Sequence, residues 1–88
     1  MHNILKVLAN EHRIKILKNL QDKDDFICIC EFDDIIDRDR SVIYRHFQKL
    51  ESVGLLETRK INGRVECRLR DPDKVETLFD AIENLEDM

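Results

Sequence analysis

Apolar residues recur along this chain in two rhythms, one helical and one alternating, and their order predicts the fold. Ile4, Leu5 and Leu8 share one side of a short helix over residues 2–8. Ile14, Leu17 and either Ile16 or Leu20 form the inner stripe of a second helix, with Asn10 as its N-cap and Glu11 in its first turn. Residues 2–20 are thus two helices. His12 falls in the exposed first turn of the second, as a surface or cap residue. After the polar loop Gln21–Asp25, the run from Phe26 to Cys30 is apolar and β-rich, and predicts a short buried strand over 26–29. Phe32, Ile35 and Ile36 then face inward from a short helix over Glu31–Ile36, and Asp37–Arg38 makes a tight turn.

The dominant amphipathic stretch is Arg38–Leu56. Ile43, Phe47 and Leu50 fall at i, i+4 and i+7 and share a stripe. Ser41, Tyr44, Arg45 and Gln48 fall at i, i+3, i+4 and i+7 about half a turn away. Asp39 is placed to cap this helix, and Gly54 is the expected stop, where a positive φ is easiest. His46 lies on the flank between the two stripes and reads as packing. A short helix, a tight turn and a long helix over 31–53 make a helix-turn-helix.

Beyond Gly54 the period changes to two. Asn62-Gly63 between strand-like runs predicts a hairpin over 55–70 with a two-residue loop. That loop pairs Ile61 with Arg64 and Lys60 with Val65. It sets Arg59 opposite Glu66 and Glu57 opposite Arg68 on one face, and Leu56, Thr58, Val65, Cys67 and Leu69 on the other. Pro72 opens a last helix over 72–86, capped by Asp71. Its stripe of Val75, Leu78, Phe79, Ile82 and Leu85 is long for so small a core. It faces either the first helix or a second copy of itself, and a homodimer joining this stripe to Ile4 and Leu5 is the expectation. The fold class is α+β, mainly α: a single winged helix-turn-helix domain over 1–88 with a two- to three-stranded wing sheet.

Charge changes this picture. The net charge is −4, yet residues 38–70 carry +5, while residues 1–37 carry −3 and residues 71–88 carry −6. A basic centre in an acidic chain suits local binding of a polyanion, and the acidic end disfavours loose attachment. Arg40, Ser41, Val42, Tyr44, Arg45 and Gln48 would face a DNA major groove. Arg45 and Gln48 are suited to bidentate base contacts, and Ser41 and Tyr44 to phosphates. Lys60, Asn62 and Arg64 at the hairpin tip would hold the backbone or enter the minor groove. An ordinary solvated helix face would look similar. No apolar run approaches membrane-spanning length and the N-terminus does not read as a secretory signal, so a cytoplasmic protein is expected.

Cys28, Cys30 and Cys67 are then most simply free thiols. Three readings stay open: small buried hydrophobes, thiols open to oxidation, or ligands for a soft metal or metalloid such as As(III), Cd(II), Zn(II) or Cu(I). Pairing of the first strand with the second wing strand would bring Cys28 near Cys67, a candidate third ligand.

Five segments, in order, resemble the ArsR/SmtB family of bacterial and archaeal repressors. Leu8–Leu17 is similar to the family's LADPTRLRIL, Cys28–Phe32 to CVCEL, Ser41–Phe47 to STVSHHL, Glu51–Leu56 to REAGLV, and Gly63–Leu69 to GRWVYYRL. The resemblance implies a homodimer held by first and last helices, bound to a double-stranded DNA operator and released by an effector. The chain departs from the family pattern at Tyr44 and Arg45, so base preference does not carry over. It departs also at Asp33, where arsenic sensors carry a third cysteine. The last helix has acids, Asp73, Glu76, Asp80 and Glu83, but no histidine to make the family's other metal site.

An enzyme is not expected. There is no glycine-rich phosphate loop, no histidine cluster and no Cys-x-x-Cys. The competing readings are an effector-independent winged-helix DNA-binding factor and a winged helix that binds protein.

Overall fold

A computed structural model of the chain describes residues 2–87. Its order is α1 (His2–Leu8), α2 (Glu11–Leu20), β1 (Ile27–Cys28), a 3-10 turn (Ile29–Phe32), α3 (Arg40–Ser52), β2 (Leu56–Ile61), β3 (Arg64–Leu69) and α4 (Pro72–Glu86). The strands form one antiparallel sheet in the order β1-β3-β2. The architecture is a winged helix-turn-helix, mainly helical, with a three-stranded wing sheet.

Local chemistry explains most boundaries. The Asn10 side chain accepts hydrogen bonds from the backbone N–H groups of His12 and Arg13 at 2.9 and 3.3 Å, occupying donors that α2 leaves without partners. Asp71 accepts from the N–H of Lys74 at 3.3 Å and Pro72 starts α4. Asp39 occupies the cap position of α3, but contrary to expectation its side chain makes no capping bond. At the other end of α3, Gly54 has φ +79°, Gly54 N–H donates to Glu51 O at 2.9 Å, and Leu55 N–H donates to Leu50 O at 3.1 Å. That paired closure satisfies two terminal carbonyls and turns the chain into the wing.

The hairpin register agrees with the side-chain argument throughout: Ile61 faces Arg64, Lys60 Val65, Arg59 Glu66 and Glu57 Arg68. Both opposite-charge pairs close, Arg59 Nε to Glu66 Oε1 at 2.8 Å and Arg68 Nε to Glu57 Oε1 at 2.6 Å. Asn62 (φ 51°) and Gly63 (φ 77°) take the left-handed turn that a two-residue loop requires.

The segment before α3 differs from expectation. The strand is shorter than 26–29, only Ile27 and Cys28 pairing with β3. Phe26 lies outside it, with the guanidinium groups of Arg59 and Arg68 over its ring at 4.0 and 4.3 Å. The predicted helix over 31–36 is instead the 3-10 turn Ile29–Phe32 followed by turns. Asp33 N–H donates to Cys30 O at 3.2 Å and Ile35 N–H to Phe32 O at 3.1 Å, the tighter three-residue closure common in short connectors.

One core unites the elements. Ile16, Leu17 and Leu20 from α2 meet Phe32, Ile36, Ile43, Phe47, Leu50, Leu56 and Cys67, all nearly without solvent exposure. Phe32 and Phe47 meet edge to face with centroids 5.1 Å apart, fixing the turn against α3.

Candidate nucleic-acid interface

The core fixes which side of α3 faces out. With Ile43, His46, Phe47 and Leu50 buried, Arg40, Ser41, Tyr44, Arg45 and Gln48 are exposed and Val42 is half-buried. Lys60, Asn62 and Arg64 are exposed on the wing. The wing is fastened to the helix: Glu51 Oε2 accepts from Thr58 N–H at 3.0 Å and from Thr58 Oγ1 at 2.9 Å.

Helix and wing share a cleft of about 590 Å³. Arg40, Ser41 and Tyr44 form one wall, Gly63, Arg64 and Val65 another, and Cys28, Ile29 and Cys30 the third. Arg45 and Gln48 lie further along the outer side of α3, outside this cleft. Of the nine basic residues within 38–70, Arg59 and Arg68 are neutralised by glutamates. Arg40 is hydrogen-bonded and ion-paired to Asp33, which raises its pKa further. Asp33 was legible in the sequence only as a missing thiol; an acid seven residues before Arg40 across a tight turn was the signal for the pair.

The cysteines depart from expectation. Cys28 and Cys30 are joined as a disulfide, with Cα atoms 5.2 Å apart, rather than being free thiols. The strand ends at Cys28, and the 3-10 turn that follows carries Cys30 within reach of it. Cys28 is 8% exposed and Cys30 is exposed. β1 does pair with β3, but Ile27 faces Cys67 and Cys28 faces Glu66. Cys67 is fully buried, and burial pushes its thiol up to about 12. Among the described residues no three His, Cys, Asp or Glu side chains converge to hold a metal, so the expected set of Cys28, Cys30 and Cys67 is not assembled.

His46 packs, as expected, between α2 and α3. Arg13 Nε donates to its Nδ1 at 3.1 Å, and burial, aided by Arg13 and His12, lowers its pKa. His12 is half-buried rather than exposed, and its ring lies 5.6 Å from that of His46. The same Arg13 donates to Val7 O at 3.0 Å, tying α1 to this cluster.

The expected dimer stripe is divided. Val75 and Phe79 are buried in the protomer's own core, and the Lys18 ammonium of α2 lies 5.7 Å from the centre of the Phe79 ring. Leu78 and Ile82 are half-buried, and Ile4, Leu5 and Leu85 are 38, 61 and 70% exposed.

No family model matches the chain. It is 37% identical over 57 residues to the Halobacterium salinarum protein named arsenical resistance operon repressor ArsR, covering 65% of this chain and 44% of that one. It is 31% identical over 55 residues to the cadmium resistance transcriptional regulatory protein CadC of Listeria innocua, covering 62% and 45%. The chain thus spans less than half the length of these two relatives. In structure it matches HlyU of Vibrio cholerae with a TM-score of 0.75, 27% identity and 98% and 90% of the two chains covered. It also matches a homodimeric winged helix-turn-helix DNA-binding domain from Mycobacterium bovis, described as a possible ArsR-family regulator, with a TM-score of 0.77, 24% identity and 98% and 77% covered. The chain resembles ArsR-family regulators in sequence and fold. These ArsR-type relatives are transcriptional regulators, not enzymes. No helix among the described residues is long and apolar enough to cross a membrane.

Proposed function

We propose that this chain is a homodimeric, cytoplasmic transcriptional repressor that holds a double-stranded DNA operator through α3 and the wing. The observation that carries this reading is the cleft that the outer side of α3 shares with the wing tip. Arg45 and Gln48 read base edges, since a guanidinium and an amide can each make paired hydrogen bonds to one base. Arg40, Ser41, Val42 and Tyr44 set the helix in the major groove. Lys60, Asn62 and Arg64 hold the flanking backbone. The acidic α4 keeps non-specific attachment weak, so specificity rests on these few contacts.

The test is binding to a duplex from the region upstream of its own coding sequence, against mixed-sequence duplex, over a salt series. Affinity should fall steeply with salt. Arg45→Ala should weaken specific binding by roughly 1–3 kcal/mol while leaving mixed-sequence binding nearly unchanged. Arg64→Ala should weaken both alike. Equal affinity for the two duplexes would overturn the repressor reading.

The names of the ArsR and CadC relatives favour a soft metal or metalloid as effector. Two sulfurs on one side of the turn suit such an ion only once reduced, and among the described residues no third His, Cys, Asp or Glu side chain converges on them. The effector reading therefore centres on the thiol chemistry of Cys28 and Cys30 themselves.

A further inference from the structure

We propose that Cys30 is a thiol–disulfide exchange site inside the interface cleft, accepting a low-molecular-weight thiol on its Sγ, with Cys28 as leaving and resolving sulfur. The chemistry stands on the cysteine pair; its effect on binding rests on the DNA reading above.

The two sulfurs are unequal. Cys30 is exposed, whereas Cys28 is 8% exposed, so an incoming thiolate reaches Cys30 first. The backbone N–H of Cys30 donates to Cys28 Sγ at 3.3 Å, a contact that favours negative charge on that sulfur as it leaves. Both sulfurs lie on the wall of the cleft that also holds Arg64, a cation with no ion-pair partner among the described residues. A thiol bearing carboxylates therefore has a counter-charge within the same cleft. Cys67 takes no part, because it is enclosed in the core and its thiol stays protonated.

The exchange runs in two balanced steps. A thiolate RS⁻ attacks Cys30 Sγ; the Cys28–Cys30 bond breaks and its electron pair leaves on Cys28 Sγ, which holds it as thiolate or takes a proton from water. A mixed disulfide now joins Cys30 to R. A second RS⁻ attacks the R sulfur and expels Cys30 thiolate with RSSR. The protein disulfide gains two electrons and two thiols lose them. In reverse, Cys28 thiolate attacks Cys30 Sγ in the mixed disulfide and expels RS⁻, so the adduct is cleared from within the chain. The intermediate is the state that matters for DNA. Two bare sulfurs leave the cleft open whether bonded or reduced, but a bound thiol fills the space between α3 and the wing and sets its carboxylates beside Arg64. Release of DNA then follows from direct obstruction at the contact surface.

Cys28→Ser removes the resolving sulfur while its hydroxyl can still accept from the Cys30 N–H, and so should trap the adduct. Reduced Cys28→Ser protein treated with oxidised glutathione should gain one glutathione by intact mass, mapped to Cys30. Its affinity for the upstream duplex should fall by about tenfold or more, as expected when a phosphate-binding cation is covered, and recover on reduction. Cys30→Ser should take up none, and its affinity, whatever its starting level, should not change with treatment. In reduced wild-type protein, brief alkylation should label Cys30 ahead of Cys28 and leave Cys67 unlabelled, a readout that does not depend on either variant folding. Faster labelling of Cys28, or an adduct on Cys30 that leaves DNA affinity unchanged, would overturn the proposal. If the unmodified protein binds no duplex at all, the DNA reading fails, and mass and labelling still decide the exchange site.

Discussion

His46 sits on the buried side of α3 with Nδ1 accepting from Arg13, so the fold holds it neutral. Protonation would remove that acceptor and place a cation beside Arg13, with His12, Arg45 and Arg38 adding to the repulsion. Its pKa is lowered from the ordinary 6.5, so between the folded value and 6.5 the unfolded chain binds a proton that the folded chain refuses. The contribution of His46 is fully present above 6.5 and lost as pH falls through the lower folded value. Urea midpoints should therefore drop as pH falls below 6.5, and His46→Gln, which keeps an acceptor for Arg13 but cannot titrate there, should flatten that drop. An equal slope in both proteins would remove His46 as the cause. The sequence marked His46 as packing but not its bond to Arg13, because residues 33 positions apart meet only through the fold.

Among the elements, the wing was legible to the residue and the segment before α3 was not. Asn62-Gly63 limits the loop to two residues, after which charge pairing on one face and burial on the other admit a single register. From Phe26 to Phe32 no such constraint acts. A short apolar run suits a strand, a 3-10 turn or a buried helix equally, and the sheet decides by pairing only Ile27 and Cys28. Gly54 was read as the helix stop, and it now carries a prediction. Its φ is +79° and nothing lies within 4 Å of an added Cβ, so Gly54→Ala meets only backbone strain. It should cost about 1–2 kcal/mol of unfolding free energy by denaturant titration, with no change in m-value.

Over the whole molecule, extents of 46 × 25 × 24 Å describe a body nearly twice as long as it is wide. Val75 and Phe79 anchor the first turns of α4, while Leu85, with Ile4 and Leu5 of α1, is left in solvent. In the homodimer proposed above, a second copy would cover these residues. Leu85→Glu should raise the dimer dissociation constant about tenfold or more, by loss of one buried leucine, in sedimentation equilibrium. Protomer stability should change by less than about 0.5 kcal/mol, because the site is exposed in each copy. An unaltered dimer would place the contact elsewhere. The clasp between Glu51 and Thr58 has a consequence at this scale. Under the DNA reading proposed above, it would hold helix and wing together as one unit in each half of a dimer. A dimer of this kind would present two rigid grips at a fixed spacing, to be matched to a duplex whose successive major grooves recur about every 34 Å. Any mismatch in spacing or phase would have to be absorbed by bending the DNA or by rotating one protomer against the other, so operator geometry, as much as operator sequence, would set which sites are held.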